Sequence, residues 1–265
     1  FGGAAVSHAT LAEVTALISE ADPALGQIPQ NHYCLVDAVR LIGDAQQQKF
    51  FFREAIEGRR FGNAVSESGT ANAKVVTARL RATPEGLRLD GRKFYCTGAL
   101  FAHWVPVAAR DEQDNQVLVY VAREAPGLEV VDDWSGFGQR TTASGTVTAD
   151  NVAVGALQVL PRAQLFEPPT IHGPFAQVLH AAIDLGIGRA AMADLHHWVR
   201  ERARPWPDSG VARAADDPLT LARIGRLVIQ QHATEALLER SGHALDRARD
   251  EPGADHVTEA SIAVA

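Results

Sequence analysis

Between residues 7 and 20 the apolar positions Leu11, Val14, Leu17 and Ile18 recur at three- and four-residue spacing, the period of one helix face. Ser7 or Thr10 stands ahead of Glu13 as an N-cap. Pro23, Gly26 and Pro29 then interrupt the pattern, so the next helix is expected over 32–41 and a third over 44–57, stopped by Gly58. From Asn63 to Gln158 the period shortens to two. Residues 74–82 alternate, the turn Pro84-Glu85-Gly86 follows, then 87–89, the turn Asp90-Gly91, and 93–96. Further short strands are expected at 104–109, 117–121, 128–131 and 146–154, close enough together to read as an antiparallel sandwich or barrel. Beyond Pro174 the helical period returns, with Met192, Leu195 and Val199 on one stripe and Leu221, Ile224 and Val228 on another, as in a helix bundle. The order of helices, strands and helices predicts an α+β protein with segregated layers: a helical domain over 1–61, a β domain over 62–160 and a helical bundle over 161–265.

Composition narrows the class. The 265 residues are 46% hydrophobic and 22% charged, ordinary globular usage. A net charge of -7 argues against a nucleic-acid or anionic-membrane partner, both of which need clustered positive charge. The only cysteines, Cys34 and Cys96, exclude a disulfide scaffold and fit a reducing, cytoplasmic setting. No apolar run reaches the length of a membrane span. The start at Phe1-Gly2-Gly3 and the apolar end at Ser261-Ile262-Ala263-Val264-Ala265 are read as belonging to a longer protein.

Several motifs lead nowhere. The glycines of G-I-G-R-A-A at 186–191 lie inside a helical pattern, not at a strand-to-helix turn, so close helix packing is their expected use. His196 and His197 diverge around a helix, and His232 and His243 stand about 16 Å apart along one, so no metal pair is read. There is no G-x-S-x-G elbow.

Four stretches are polar, small and glycine-bearing where a β layer should be apolar. The first, 62–73 (GNAVSESGTANA), offers Asn63, Ser66, Ser68 and Thr70, either to cap a connection between layers or to bond the edge of a planar heterocycle. In 91–104 (GRKFYCTGALFAHW), Phe94, Tyr95, Phe101 and Trp104 surround Thr97-Gly98, as plain core or as a stacking surface beside a hydroxyl. The stretch 134–145 (WSGFGQRTTASG) is a donor-rich loop containing Trp134, Thr142 and Ser144. In 200–210 (RERARPWPDSG), Arg200, Arg202 and Arg204 are either dipole partners of a helix end or a phosphate clamp.

Taken in order, these segments resemble the acyl-CoA dehydrogenase superfamily. Ser66-Glu67-Ser68-Gly69 resembles its T-E-P-G flavin loop, and Tyr95 and Thr97 stand at the aromatic and hydroxyl positions of its aromatic-x-T-N strand. The stretch 138–154 resembles its G-x-R…D-V-x-V segment, and 201–206 its E-R-x-x-F phosphate motif. GRKFYCTGALFAHW and DWSGFGQRTTASGT are closest to the flavin monooxygenase branch, the sulfur-acquisition oxidoreductases and dibenzothiophene monooxygenases.

The resemblance implies a monooxygenase that takes reduced FMN from a separate flavin reductase and uses O2 on a small organosulfur compound. It implies cofactor contacts from Asn63, Ser66, Thr70, Tyr95, Thr97, Arg202 and Arg204, and a substrate pocket with Phe101, Trp134 and Thr142. His32 resembles the pocket histidine that supports activated oxygen, although Val36 stands where a partner tyrosine is expected one turn later. A homotetramer is the implied assembly. The alternatives are an acyl-CoA dehydrogenase proper, with FAD, and a non-catalytic member acting through its oligomer interface. A dehydrogenase needs a carboxylate base, and 175–183 (FAQVLHAAI), where one subgroup carries it, holds no acid.

Overall fold

A computed structural model describes residues 4–72, 75–167 and 169–265. The chain divides into two compact units, one built from Gln27–Ala176 and the other from Val6–Gly26 with Gln177–Ala265. The first contains most of α2 (Pro23–Ile42), α3 (Ala45–Ile56) and seven strands. These are β1 (Arg79–Thr83), β2 (Gly86–Lys93), β3 (Trp104–Arg110), β4 (Gln116–Ala122), β5 (Leu128–Val131), β6 (Thr146–Val154) and β7 (Val159–Leu160). The second contains α1 (His8–Ala21), most of α4 (His172–Glu201), α5 (Pro218–Asp250) and α6 (Ala254–Val264).

The strands form one sheet in the order β5-β6-β2-β1-β3-β4-β7. All pairings are antiparallel except β1 with β3, which meet in parallel at the single pair Arg79 and Arg110. The expected α+β class holds, and of the sandwich-or-barrel alternatives the closed barrel is corrected: the sheet is open, with the short strands β5 and β7 at its edges. The single β1/β3 pair joins two wings of the sheet. Leu80, Leu89, Val147 and Val152 from one wing share a core with Val105, Val107, Val119 and Val121 from the other. β4 alternates between two cores. Val117, Val119 and Val121 enter this one, while Leu118 and Tyr120 face Leu35, Val39, Phe51 and Phe61 of a second. Burial on both faces explains why β4 reads as an unbroken apolar run. The Tyr120 hydroxyl donates to the Leu35 carbonyl at 2.7 Å, which satisfies the one polar atom taken inside.

The break expected at Pro23, Gly26 and Pro29 is also corrected, because α2 runs through all three. Pro23 occupies the first helical position, where no N–H is needed, and the Asp22 carboxylate accepts from Ala24 N. Gly26 lets α2 approach α1, since a Cβ there would lie 1.9 Å from Ser19 Oγ. Pro29 costs one bond of the helical ladder. β2 likewise continues across Asp90-Gly91, with a register shift between Leu89 and Gly91 where a turn is expected. β1 begins at Arg79. Lys74, the start of the expected strand, and Ala73 lie outside the described residues.

In the second unit α1 packs with the long helices. A Cβ at Gly186 would lie 2.3 Å from the Ala16 carbonyl, so this glycine serves close helix packing as expected, whereas Gly188 does not, since a Cβ there would meet open space. Arg189 bonds Glu13 at 2.8 Å and Glu235 at 2.9 Å, and Asp246 accepts from both the backbone and the ring of His8. These contacts group α1 with α4 and α5, so the compact units are cut differently from the three zones of the sequence. Met192, Leu195, Val199, Ile224 and Val228 are half-buried, and Leu221 is exposed.

Candidate functional site

Three segments distant in sequence are stitched together in the first unit. Beyond β2 the chain turns at Tyr95, whose φ of 55° lies in the left-handed region, and Thr97 N reaches back to Tyr95 O at 2.9 Å. The segment then lies along 142–145: Cys96 N donates to Gly145 O, Gly98 N to Thr142 O and Leu100 N to Ala143 O. From the other side Asn63 N donates to Thr97 O at 3.0 Å. The backbone thus brings Asn63, Tyr95, Thr97 and Thr142 to one place.

Three hydroxyls run in series there. Thr142 Oγ1 lies 2.7 Å from Ser144 Oγ, and Ser144 Oγ lies 3.2 Å from Thr97 Oγ1. Thr142 Oγ1 is also 3.2 Å from the Gln139 carbonyl, which accepts from Trp134 Nε1 at 3.0 Å. Thr142 and Ser144 are buried, whereas Thr97 is only half-buried and closes the series on its open side. Beside it the Tyr95 and Trp134 rings meet edge to face at 5.9 Å. Tyr95 remains 64% exposed, and Phe101 and Phe137 are exposed as well. Large aromatics left open next to buried hydroxyls form a ledge for a flat guest.

His32 sits within α2, where its Nδ1 accepts from Phe61 N at 3.2 Å and its ring lies 5.4 Å from that of Phe61. Burial first, then the neighbouring Arg60 guanidinium, lower its pKa to about 4. The ring is therefore neutral at pH 7, and with Nδ1 acting as acceptor the proton belongs on Nε2. Ser66 is held in the same region by its carbonyl, which accepts from Phe94 N. Thr70 is not joined to the cluster by a hydrogen bond: its hydroxyl turns to Asn72 O at 3.1 Å. Arg202 and Arg204 follow α4 in the second unit. Arg202 N donates to Trp198 O, and Arg204 lines a cavity of about 740 Å³ with Trp206, Asp217 and Arg223. Burial pushes both the Cys34 and Cys96 thiols up to about 12, so neither is poised as a nucleophile.

The element that sequence reasoning missed is a buried ion pair. Lys93 Nζ and Glu67 Oε1 are 2.5 Å apart, with side chains 1% and 3% exposed. Glu67 also accepts from Thr77 N, Thr77 Oγ1 and Ala78 N. Burial alone would raise its pKa, but these bonds, led by that from Lys93, hold it at about 2. The pair fastens the 65–67 loop to the end of β2, next to the Ser66–Phe94 bond. A glutamate inside a glycine-bearing loop and one of only three lysines at a strand end were the available signals.

Residues 178–265 match the family model "Acyl-CoA dehydrogenase, C-terminal domain". The computed structure superposes on FMN-bound TdsC from Paenibacillus sp. A11-2 with a TM-score of 0.91 and 25% identity, covering 99% of this chain and 70% of that one. The chain is similar to the acyl-CoA dehydrogenase superfamily in its C-terminal third and in its fold. It is 29% identical to a dibenzothiophene monooxygenase of Rhodococcus erythropolis, over 94% of this chain and 63% of the relative. It is 27% identical to a probable FMNH2-dependent monooxygenase, SfnC, of Pseudomonas putida, over 94% and 62%. The chain thus spans just under two thirds of the length of these curated relatives.

Proposed function

We propose that this chain belongs to the acyl-CoA dehydrogenase superfamily as a flavin-dependent monooxygenase that accepts reduced FMN from a separate reductase and oxygenates a small organosulfur compound with O2. The observation that carries this reading is the hydroxyl series Thr97–Ser144–Thr142 beside the open Tyr95–Trp134 pair, in a chain related to enzymes named for FMNH2 and dibenzothiophene. These residues fit a flavin ring. The hydroxyls offer both donor and acceptor to a ring nitrogen, the aromatics flank a flat face, and no acidic group of the cluster would oppose an electron-rich ring.

When bound, reduced FMN supplies the two electrons that let one oxygen atom reach the substrate while the other leaves as water. Thr97 bonds the ring edge, and Asn63 and Ser66 sit on the neighbouring segments to complete that edge. Tyr95, Phe101 and Trp134 exclude water from the face. Neutral His32 offers its Nε2–H as a donor that does not depend on pH above about 4. Arg202 and Arg204, in the second unit, are proposed to bind a phosphate group through the charge-assisted bidentate bonds arginine makes to such groups. No helix among the described residues is long and apolar enough to cross a membrane.

The test is a titration of the full-length protein with FMN, FMNH2 and FAD, followed by oxygen uptake with an added reductase. Preference for FMNH2 and reductase-dependent uptake are expected. Tightly held FAD bleached by an acyl-CoA would overturn the reading in favour of a dehydrogenase. Thr97→Val should weaken flavin binding about three- to tenfold, the worth of one lost hydrogen bond, while leaving the melting temperature within a degree or two. Unchanged affinity would remove Thr97 from the ring edge.

A further inference from the structure

Arg60 stands between α3 and the first segment of the ledge, and four hydrogen bonds hold it. Its N–H donates to His103 Nδ1 at 3.0 Å, and its carbonyl accepts from His103 N at 2.8 Å and Trp104 N at 3.1 Å. Its Nε donates to the Phe101 carbonyl at 2.8 Å. The next amide, Phe61 N, donates to His32 Nδ1. Residues 60 and 61 therefore join the 101–104 segment to the His32 ring, with the carbonyl of exposed Phe101 held by the same side chain. The acceptor at Phe101 is neutral, so that bond leaves the guanidinium charge uncancelled. Burial first, and then this charge, lower the pKa of both His32 and His103. Tyr33, whose ring lies 5.9 Å from that of His32, stays neutral because burial raises its own pKa. Arg60 is thus the charge that acts on His32.

We infer that Arg60 is a positioning residue for His32 and Phe101: its clamped backbone sets the amide that fixes the His32 tautomer, and its guanidinium holds the carbonyl of the aromatic assigned to the substrate pocket. The inference rests on the flavin reading above, in which His32 donates its Nε2–H. Arg60 acts through these two residues and not on the reacting atoms. A cation beside the ring disfavours a second ring proton, so Nδ1 stays free to accept from Phe61 N and Nε2–H stays the sole ring donor. A proton on Nδ1 would meet the Phe61 N–H donor to donor, and the ring would have to turn away. With that donor misplaced, oxygen takes both electrons of reduced FMN with two protons and leaves early as hydrogen peroxide. Arg60 therefore governs how long oxygen is kept, not whether flavin binds.

The test uses the full-length wild type, Arg60→Met and Arg60→Lys, each loaded anaerobically with reduced FMN and mixed with O2, with an NMR titration of the His32 ring and a thermal melt of each. Arg60→Met is expected to release hydrogen peroxide about three- to tenfold faster, the equivalent of one hydrogen bond, and to bind reduced FMN within about twofold of wild type. Its His32 midpoint should rise from about 4 yet stay below the ordinary 6.5, because burial is the larger cause and solvent screens the exposed guanidinium. Arg60→Lys, which keeps a charge and a donor, should bring both readings back towards wild type. An unchanged His32 midpoint in Arg60→Met, unchanged peroxide release, or faster release that follows a lowered melt in both variants would overturn the positioning role while leaving the flavin reading intact. A wild type that binds no reduced FMN overturns both.

Discussion

Glu67 and Lys93 show how much one buried pair can carry. Removing either partner leaves the other charge inside without compensation, which costs about 3–5 kcal/mol, whereas replacing both by apolar groups is often nearly neutral. Glu67→Gln should therefore lower the denaturant midpoint sharply, and Glu67→Leu combined with Lys93→Met should recover much of the loss. A double variant as unstable as the sum of the singles would show that the pair is not coupled. The pH dependence follows from the same contacts. The folded-state pKa of about 2 lies below the ordinary 4.5, so the unfolded chain binds more protons in between. The stabilisation is complete above pH 4.5 and lost as pH falls towards 2, and in Glu67→Gln that acid limb should flatten. His32 acts with the same sign in a higher window. Its pKa of about 4 against an ordinary 6.5 makes stability decline as pH drops from 6.5 towards 4. An NMR titration of its ring should show a midpoint near 4, and a midpoint above 6 would contradict the buried, Arg60-facing geometry.

At the scale of elements, the apolar pattern was enough to find β3, β4, β5 and β6, which bury residues at every second position or on both faces, but not the two-residue β7. Pairing was not legible. That β5 and β7 stand unpaired with each other at opposite edges of the sheet is a tertiary fact with no local signature. Prolines and glycines misled for a physical reason: Pro23 starts a helix as readily as it ends one, and Gly26 is small for the sake of Ser19 rather than for a turn. The candidate site divides in the same way. Thr97, Tyr95, Trp134 and Thr142 stood out as hydroxyls and aromatics, but the link through Ser144 and the Glu67–Lys93 pair required contacts across 47 and 26 residues. Gly186 was read correctly, and it gives a sharp test. Gly186→Leu must drive its side chain into the Ala16 carbonyl 2.3 Å from the Cβ position. Overpacking of this kind costs typically 1–3 kcal/mol, and hydrogen exchange should show it as lost protection concentrated in α1. Unchanged protection in α1 would mean that the close approach is not maintained in solution.

The molecule as a whole assembles its candidate ledge from pieces of chain around residues 63, 97 and 143, the middle one held by backbone bonds to both of the others. A ligand seated on that ledge stabilises the bonds that build it. Saturation at a hundred times Kd contributes about 2.7 kcal/mol to every opening that must release the ligand first. Exchange measured with and without reduced FMN should therefore slow at the amides of Asn63, Cys96, Gly98 and Leu100, which donate across the three segments. The β1–β2 turn near Gly86 closes on its own register, from Thr83 with Gly86 to Arg79 with Asp90, and owes nothing to the ledge. Its exchange should stay the same. Equal slowing at the turn and at the ledge would indicate global stabilisation by a ligand bound elsewhere, and slowing confined to α5 would move the flavin away from Thr97 altogether.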